Sequence, residues 1–274
     1  MAPTFANINL LGKCNVDCFF CLGKDLPEYF DKHNHLKIHF INWKNFSRFL
    51  QICKNDGIKN IYITGQNTDA LLYKHLHSLI FNLQFSGFDV GIRTNGYQLE
   101  KNLDKNPMLV STVNLCKRSV GISIHTLDPD TNMKIMGTKH IPDWDWILPQ
   151  IDNLRISVVI NRYNHVEVVA SLLAYLADYK NVRYIQLRKV STDTRYEQLE
   201  EDMKAFDLVS EYIHQECEPT GKLYDADVFE IMGKEVVLWP TVSTSINSYN
   251  YFTDGIISKE YFVIEGYLKN KEGK

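Results

Sequence analysis

Short runs in which apolar and polar residues alternate are separated along this chain by longer stretches in which apolar residues recur every three or four positions. The first period predicts strands and the second predicts helices. Residues 5–11 (FANINLL) alternate and stop at Gly12. Residues 42–56 place Trp43, Phe46, Phe49, Leu50 and Cys53 on one helical face and stop at Gly57. The succession then repeats. Strands are expected over 59–64, 88–94, 119–125, 154–161 and 182–188. Helical stretches are expected over 68–85, Asp128-Pro129 to Gly137, 143–152, 164–179 and 197–217, and a short helix or a loop over 107–116. Six strands alternating with helices predict a parallel sheet with its helices outside, curled by right-handed crossovers. The expected fold class is α/β, a partial (β/α)6 TIM-like barrel with a short C-terminal antiparallel β appendage.

The appendage follows from a change of pattern after residue 220. Residues 227–232 and 235–239 flank Gly233-Lys234 and read as a hairpin. A second strand pair is expected around Asp254-Gly255. The expected division is a core barrel with its final helix over 1–220 and a hairpin extension over 221–274. The aromatic residues Trp239, Tyr249, Tyr251 and Phe252 of that extension are expected to form a packing lid on the barrel.

Side chains alternate faces along a strand. Asn7 and Asn9 oppose Ile8 and Leu10; Arg93 and Asn95 oppose Val90 and Ile92. Ser123 and His125 oppose Ile122 and Ile124; Ser157 and Asn161 oppose Ile156, Val158 and Ile160. Tyr184, Gln186 and Arg188 oppose Ile185 and Leu187. The apolar faces must meet the helices, which leaves polar faces inside the barrel. Buried polar groups need partners, and the simplest expectation is a polar ligand. Ligands in such folds bind at the C-terminal ends of strands, where Asn95, His125, Asn161 and Arg188 fall.

Composition narrows the class. The chain has 274 residues, 45% of them hydrophobic and 23% charged, which is globular rather than disordered. Thirty basic residues against 33 acidic give a net charge of -3, so no nucleic-acid partner is expected. No apolar run reaches about 18 residues, so no membrane partner is expected. The N-terminus MAPTFANINLLGKC lacks a charged segment before its apolar stretch, and a cytoplasmic location is expected.

The six cysteines divide by spacing. Cys14, Cys18 and Cys21 crowd into eight residues, whereas Cys53, Cys116 and Cys217 are scattered. Clustered thiols in a chain long enough to bury a core point to metal or redox chemistry rather than disulfides. Cys14-Asn15-Val16-Asp17-Cys18-Phe19-Phe20-Cys21 is a C-x3-C-x2-C pattern directly after the first strand. Iron–sulfur clusters take four cysteine ligands as a rule, so three thiolates on one loop leave one iron open. A zinc site completed by His33, His35 or His39 is the competing reading. A non-catalytic zinc or iron–sulfur module is therefore the alternative of another class. Cys53 and Cys116 read as inert core residues, and Cys217 has no C-x2-C partner.

This motif, with the aromatic Phe20 before its third cysteine, resembles that of the radical SAM superfamily, and the resemblance extends over roughly residues 5–190. It implies a [4Fe-4S] cluster on Cys14, Cys18 and Cys21. It implies S-adenosylmethionine on the fourth iron, cleaved reductively to a 5′-deoxyadenosyl radical that takes a hydrogen atom from the substrate. Thr64-Gly65-Gln66-Asn67 stands where members have a Gly-Gly-Glu-like turn, its second Gly and its Glu replaced, so Gly65 and Gln66 are implied near the methionine part. Thr94-Asn95-Gly96 matches a T-N-G segment of the family. Ser123 and Asn161 are implied near the ribose, and Gln186 near adenine.

The expected activity is that of a radical SAM enzyme on a small polar substrate: a nucleoside, a sugar or a phosphorylated metabolite. Arg93 and Arg188 would recognise phosphate or carboxylate. His125 and Tyr184 are the candidates to move a proton, Tyr184 also to quench a radical. An electron donor such as flavodoxin or ferredoxin is the expected partner. Two other family roles stay open, a glycyl-radical-enzyme activase and a peptide-modifying enzyme. Only 13 residues precede the motif, which makes the peptide role the lesser expectation.

Overall fold

A computed structural model describes residues 3–26, 28, 33–103, 107–192, 194–240, 248–260 and 267. In chain order the first elements are β1 (Phe5–Leu11), α1 (Phe46–Asn55), β2 (Asn60–Gln66), α2 (Leu76–Phe85), β3 (Asp89–Thr94), α3 (Tyr97–Leu103) and α4 (Pro107–Asn114). Next come β4 (Val120–Ser123), α5 (Pro129–Met136), α6 (Trp144–Ile147), β5 (Leu154–Ile160), α7 (Val166–Ala177), β6 (Val182–Lys189) and α8 (Glu200–Glu216). The last strands are β7 (Gly221–Leu223), β8 (Ala226–Ile231), β9 (Lys234–Trp239), β10 (Ser248–Phe252) and β11 (Ile257–Ser258). Two compact units result, one of Met1–Asn15, Cys21–Val120 and Ser243–Lys274, the other of Val16–Phe20 and Gly121–Val242. Among the described residues no helix is long and apolar enough to cross a membrane.

In the first unit the strand order is β11-β10-β1-β2-β3. β1, β2 and β3 pair in parallel, with Phe5 opposite Asn60 and Asn60 opposite Asp89. Ile8, Ile61, Ile63, Val90 and Ile92 are fully buried, as are Phe49 of α1 and Leu79, Ile80 and Leu83 of α2. The expected antiparallel pair around Asp254-Gly255 is β10 with β11. β10 does more than form an appendage: it pairs in parallel with β1, Phe5 opposite Ser248 through Asn9 opposite Phe252. Tyr251 and Phe252 are therefore fully buried strand residues rather than a lid, and the Tyr251 ring stacks on Phe49 at 5.0 Å.

In the second unit the order is β4-β5-β6-β9-β8-β7. The expected hairpin is β8 with β9, antiparallel, and β7 adds a further antiparallel strand. β9 itself lies parallel to β6, Tyr184 opposite Glu235. Its Val236 and Val237 are both fully buried, so both faces of this strand are covered. Local signals set some boundaries closely. Asp128 caps α5 by accepting the Thr131 N–H at 2.7 Å, Pro129 opens it, and Gly137 closes it at φ 71°.

The helix expected over 68–85 is broken. Asp69 accepts the Leu71 N–H at 2.9 Å and starts a 3-10 turn over Ala70–Leu72. Tyr73 is extended, and α2 begins only at Leu76. The same carboxylate is bonded to the end of β3, so the chain cannot wind through this point.

Candidate functional site

In the first unit the ends of β1, β2 and β3 carry Cys14, the turn at Gly65 and Asn95. Cys14 and Cys21 are half-buried and form no disulfide. The Thr68 hydroxyl donates to the Lys13 carbonyl at 3.1 Å, fixing the chain just before Cys14. The turn that carries Thr68 requires Gly65, since a Cβ there would collide with the Thr68 carbonyl. Asn95 donates its amide N–H groups to Asn15 Oδ1 at 2.8 Å and to Cys14 Sγ at 3.7 Å. Its backbone N–H is held at 2.6 Å by Asp69, a buried carboxylate that no local sequence signal marks. Arg93 is half-buried, its guanidinium 4.5 Å from the Tyr62 ring centroid.

In the second unit the segment around Cys18 is tied down on both sides. Asp17 N–H donates to the Met136 carbonyl at 2.9 Å and Phe19 N–H to the Ile135 carbonyl at 3.2 Å. Arg195 donates to the Phe19 carbonyl at 3.0 Å. Edge-on ring contacts join Phe19 to Tyr163 and Phe20 to His125, at 5.8 and 5.2 Å. Cys18 is half-buried and forms no disulfide.

His125 is buried, and its Nδ1 accepts the Val159 N–H at 3.1 Å. Burial, with the charge of Arg188 adding, lowers its pKa to about 3. The ring is therefore neutral; because Nδ1 is an acceptor, the proton sits on Nε2. His125 thus presents an Nε2–H donor at neutral pH. Asn161 is fully buried in a turn of its own making: its Nδ2 donates to the Val159 carbonyl and its Oδ1 accepts the Tyr163 N–H, both at 3.0 Å. Ser123 ends β4 half-exposed. Tyr184 stands near the start of β6 and Arg188 near its end, both half-exposed.

The polar strand faces are real, but many of their partners are each other. Asn7 donates to Asn250 Oδ1 at 2.8 Å, and Gln66 to Asn9 Oδ1 at 3.3 Å. Gln186 accepts from Arg155 Nη1 at 3.0 Å. Cross-strand pairing therefore satisfies much of what the sequence assigned to a ligand. Arg155 and Asn250 were missed. Arg155 has the same parity along β5 as Ser157, a signal that one more residue of the face pattern would have exposed. Asn250 sits on a strand whose place beside β1 has no local signature.

Cys53 and Cys116 behave as expected of core residues, whereas Cys217 is half-buried. Cys53 and Cys116 are buried, and burial pushes each thiol up to about 12. Among the described residues no three His, Cys, Asp or Glu side chains are gathered closely enough for a single metal ion.

A family model described as the Radical SAM superfamily matches residues 8–163, more than half of the chain. The GTP 3′,8-cyclase of Campylobacter fetus subsp. fetus is 25% identical over 191 residues, covering 68% of this chain and 54% of that enzyme. The GTP 3′,8-cyclase of Staphylococcus epidermidis is 26% identical over 198 residues, with the same coverages of 68% and 54%. The chain thus spans about half the length of the curated relatives it matches. Streptococcus suis SuiB bound to its precursor peptide SuiA superposes with a TM-score of 0.63 at 14% identity, covering 95% of this chain and 61% of that one. SuiB bound to S-adenosylmethionine gives 0.58 at 16%, covering 93% and 58%. At such identities the likeness bears on fold alone, and it agrees with the α/β, TIM-like class expected from the sequence.

Proposed function

Because this chain belongs to the radical SAM superfamily, we propose that it is an enzyme acting on a nucleoside or other phosphorylated small molecule. The superfamily's cofactors are a [4Fe-4S] cluster and S-adenosylmethionine. The donor set suits the cluster: Cys14, Cys18 and Cys21 are half-buried thiols of one loop and form no disulfide, and the backbone on both sides of Cys18 is fixed. That loop is the observation that carries the reading. Together the two cofactors supply a carbon radical able to take a hydrogen atom from a substrate.

The chain's own residues bind, orient and exclude water. Gly65, Asn95, Ser123 and Phe20 are proposed to line the S-adenosylmethionine. Gln66, Asn161 and Gln186 contribute by holding strand ends and turns, since their side chains are engaged there. Arg93 and Arg188 are proposed to receive an anionic substrate group, guanidinium being suited to phosphate. The relatives named for GTP support a nucleotide. His125 offers its Nε2 proton as a hydrogen-bond donor, and Tyr184 is kept as the candidate for radical quenching. An external electron donor such as flavodoxin or ferredoxin, and a reducing cytoplasm that suits six cysteines outside any disulfide, complete the reading.

Anaerobic reconstitution of the chain tests it. The expected result is about four irons per chain, with sulfide, and dithionite-dependent release of 5′-deoxyadenosine that is lost in Cys18→Ala. A single zinc, or cleavage unchanged in that variant, would overturn it. Deuterated nucleotides should then pass label into 5′-deoxyadenosine. Label passing only from a peptide, or from a glycyl-radical protein, would move the chain to one of the other two family roles.

A further inference from the structure

Asn95 is held in a way that its neighbours in the T-N-G segment do not require. Its Oδ1 accepts the Tyr97 N–H at 3.1 Å. A backbone N–H can only donate, so this bond fixes which end of the amide is oxygen. The NH2 group is then turned toward the cysteine loop, where it reaches Asn15 Oδ1 and Cys14 Sγ. What holds the backbone at Asn95 is Asp69. One of its oxygens takes the Leu71 N–H at 2.9 Å, and the other takes the Asn95 N–H at 2.6 Å. The Thr94 hydroxyl lies 2.8 and 2.9 Å from the two oxygens, and itself accepts the Gly96 N–H at 2.9 Å.

Asp69 is only 3% exposed. A carboxyl so buried is costly and needs donors such as these. Burial pushes it above the usual carboxylate range, while the bonds from Asn95, Leu71 and Thr94 pull it back. A cap on a three-residue 3-10 turn could be made by an exposed Ser or Asn. The bond from Asn95 is what a simple cap would lack.

We propose that Asp69 is a positioning residue for the iron–sulfur cluster: by fixing Asn95 it aims an amide N–H at the Cys14 sulfur, and that hydrogen bond raises the cluster's reduction potential. The Cys14 thiol also donates, to Asn15 Oδ1 at 3.5 Å. A Cys14 sulfur bound to iron would lack that proton and be an acceptor only. The Asn95 N–H would then draw electron density from the thiolate and favour the reduced, more negative cluster. Hydrogen bonds to cluster sulfurs are among the determinants of such potentials, and groups behind the ligands orient them.

The inference rests on the proposed function, and the two fail separately. The test is a potentiometric titration of the reconstituted cluster, followed by the electron paramagnetic resonance of its reduced form without substrate. The unaltered chain is compared with Asn95→Leu, Asp69→Ser and the double variant. Leu keeps the branched shape without a donor, and Ser keeps the cap on Leu71 while losing the reach to Asn95. Each single variant should shift the midpoint to lower potential at unchanged iron and sulfide content. The double variant should go no lower than Asn95→Leu, because both residues act through one N–H. An unmoved midpoint in Asn95→Leu, or shifts that add in the double variant, would overturn the proposal. Should Asp69→Ser not fold, Asp69→Ala, which likewise lacks an acceptor for the Asn95 N–H, is titrated in its place with the same expectation. No cluster in the unaltered chain would overturn the proposed function and this inference together.

Discussion

The Arg155 guanidinium donates to the Gln186 side-chain oxygen at 3.0 Å, one strand to the next, in the space that a side chain at Gly121 would need. A Cβ at position 121 would collide with Arg155 Nη2. That atom ends a flexible side chain, but the side chain is buried and tethered, so it has little room to yield.

Gly121→Ala should therefore destabilise the chain by about 1–3 kcal/mol, the range for overpacking. The cost should fall by more than half in an Arg155→Met background, where the guanidinium is gone. Gln186→Leu should cost about 1.5–3 kcal/mol through the lost bond to a charged group. Urea unfolding of the four chains and the double variant measures all of this. Equal costs of Gly121→Ala in both backgrounds would contradict the steric account.

His125 gives an acid dependence. Its pKa is lowered to about 3 in the fold, against 6.5 for a free side chain. Between those values the unfolded chain binds a proton that the folded chain refuses. The stability it contributes is full above about pH 6.5 and is lost as pH falls toward 3, at up to about 1.4 kcal/mol per pH unit. His125→Asn keeps an acceptor for the Val159 N–H and removes the titration. Unfolding free energies measured from pH 7.5 to 4.5 should fall less steeply in that variant; an equally steep fall would refute the assignment.

Arg162 and Asp202 form an asymmetric pair. Asp202 is fully buried and accepts three bonds of 2.9 to 3.0 Å from Arg162, whose side chain is 32% exposed and also meets Glu201 at 2.9 Å. Arg162→Met strands a carboxylate in the interior and should cost about 3–5 kcal/mol. Asp202→Asn leaves a guanidinium that water and Glu201 can serve, and should cost about 1.5–3 kcal/mol. The reverse order in denaturation midpoints would show that the charge of Asp202 is relieved in another way.

The cysteines should separate by reactivity. Brief alkylation of the cluster-free chain at pH 8, read by mass spectrometry, should label Cys14, Cys18, Cys21 and Cys217, which are half-buried, and spare Cys53 and Cys116. A thiol pushed up to about 12 is almost wholly protonated at that pH, and the thiolate is the nucleophile. After reconstitution only Cys217 should react. Continued labelling of Cys18 in iron-loaded chain would remove it from the ligand set.

Much of this molecule was legible because the relevant signals are local. Cysteine spacing lies within eight residues, strand alternation within seven, and the cap, proline and glycine of α5 within ten. The turn at Gly65 was placed by sequence order, and its steric need came only with the carbonyl of Thr68. The polar faces of the strands were read correctly as faces. Which partner each side chain meets was not legible, because whether Asn7 meets a ligand or Asn250 depends on a strand 243 residues away.

By itself the sequence determined the α/β succession, the three-thiol loop and the family it signals, since each is written in neighbouring residues with a fixed period. Tertiary structure alone decided that β9 and β10 lie parallel to β6 and β1. It also set the neutral tautomer of His125 and tied Asp69 to Asn95. Those outcomes turn on strand register and on burial, and both are sums over contacts that no local stretch of chain contains.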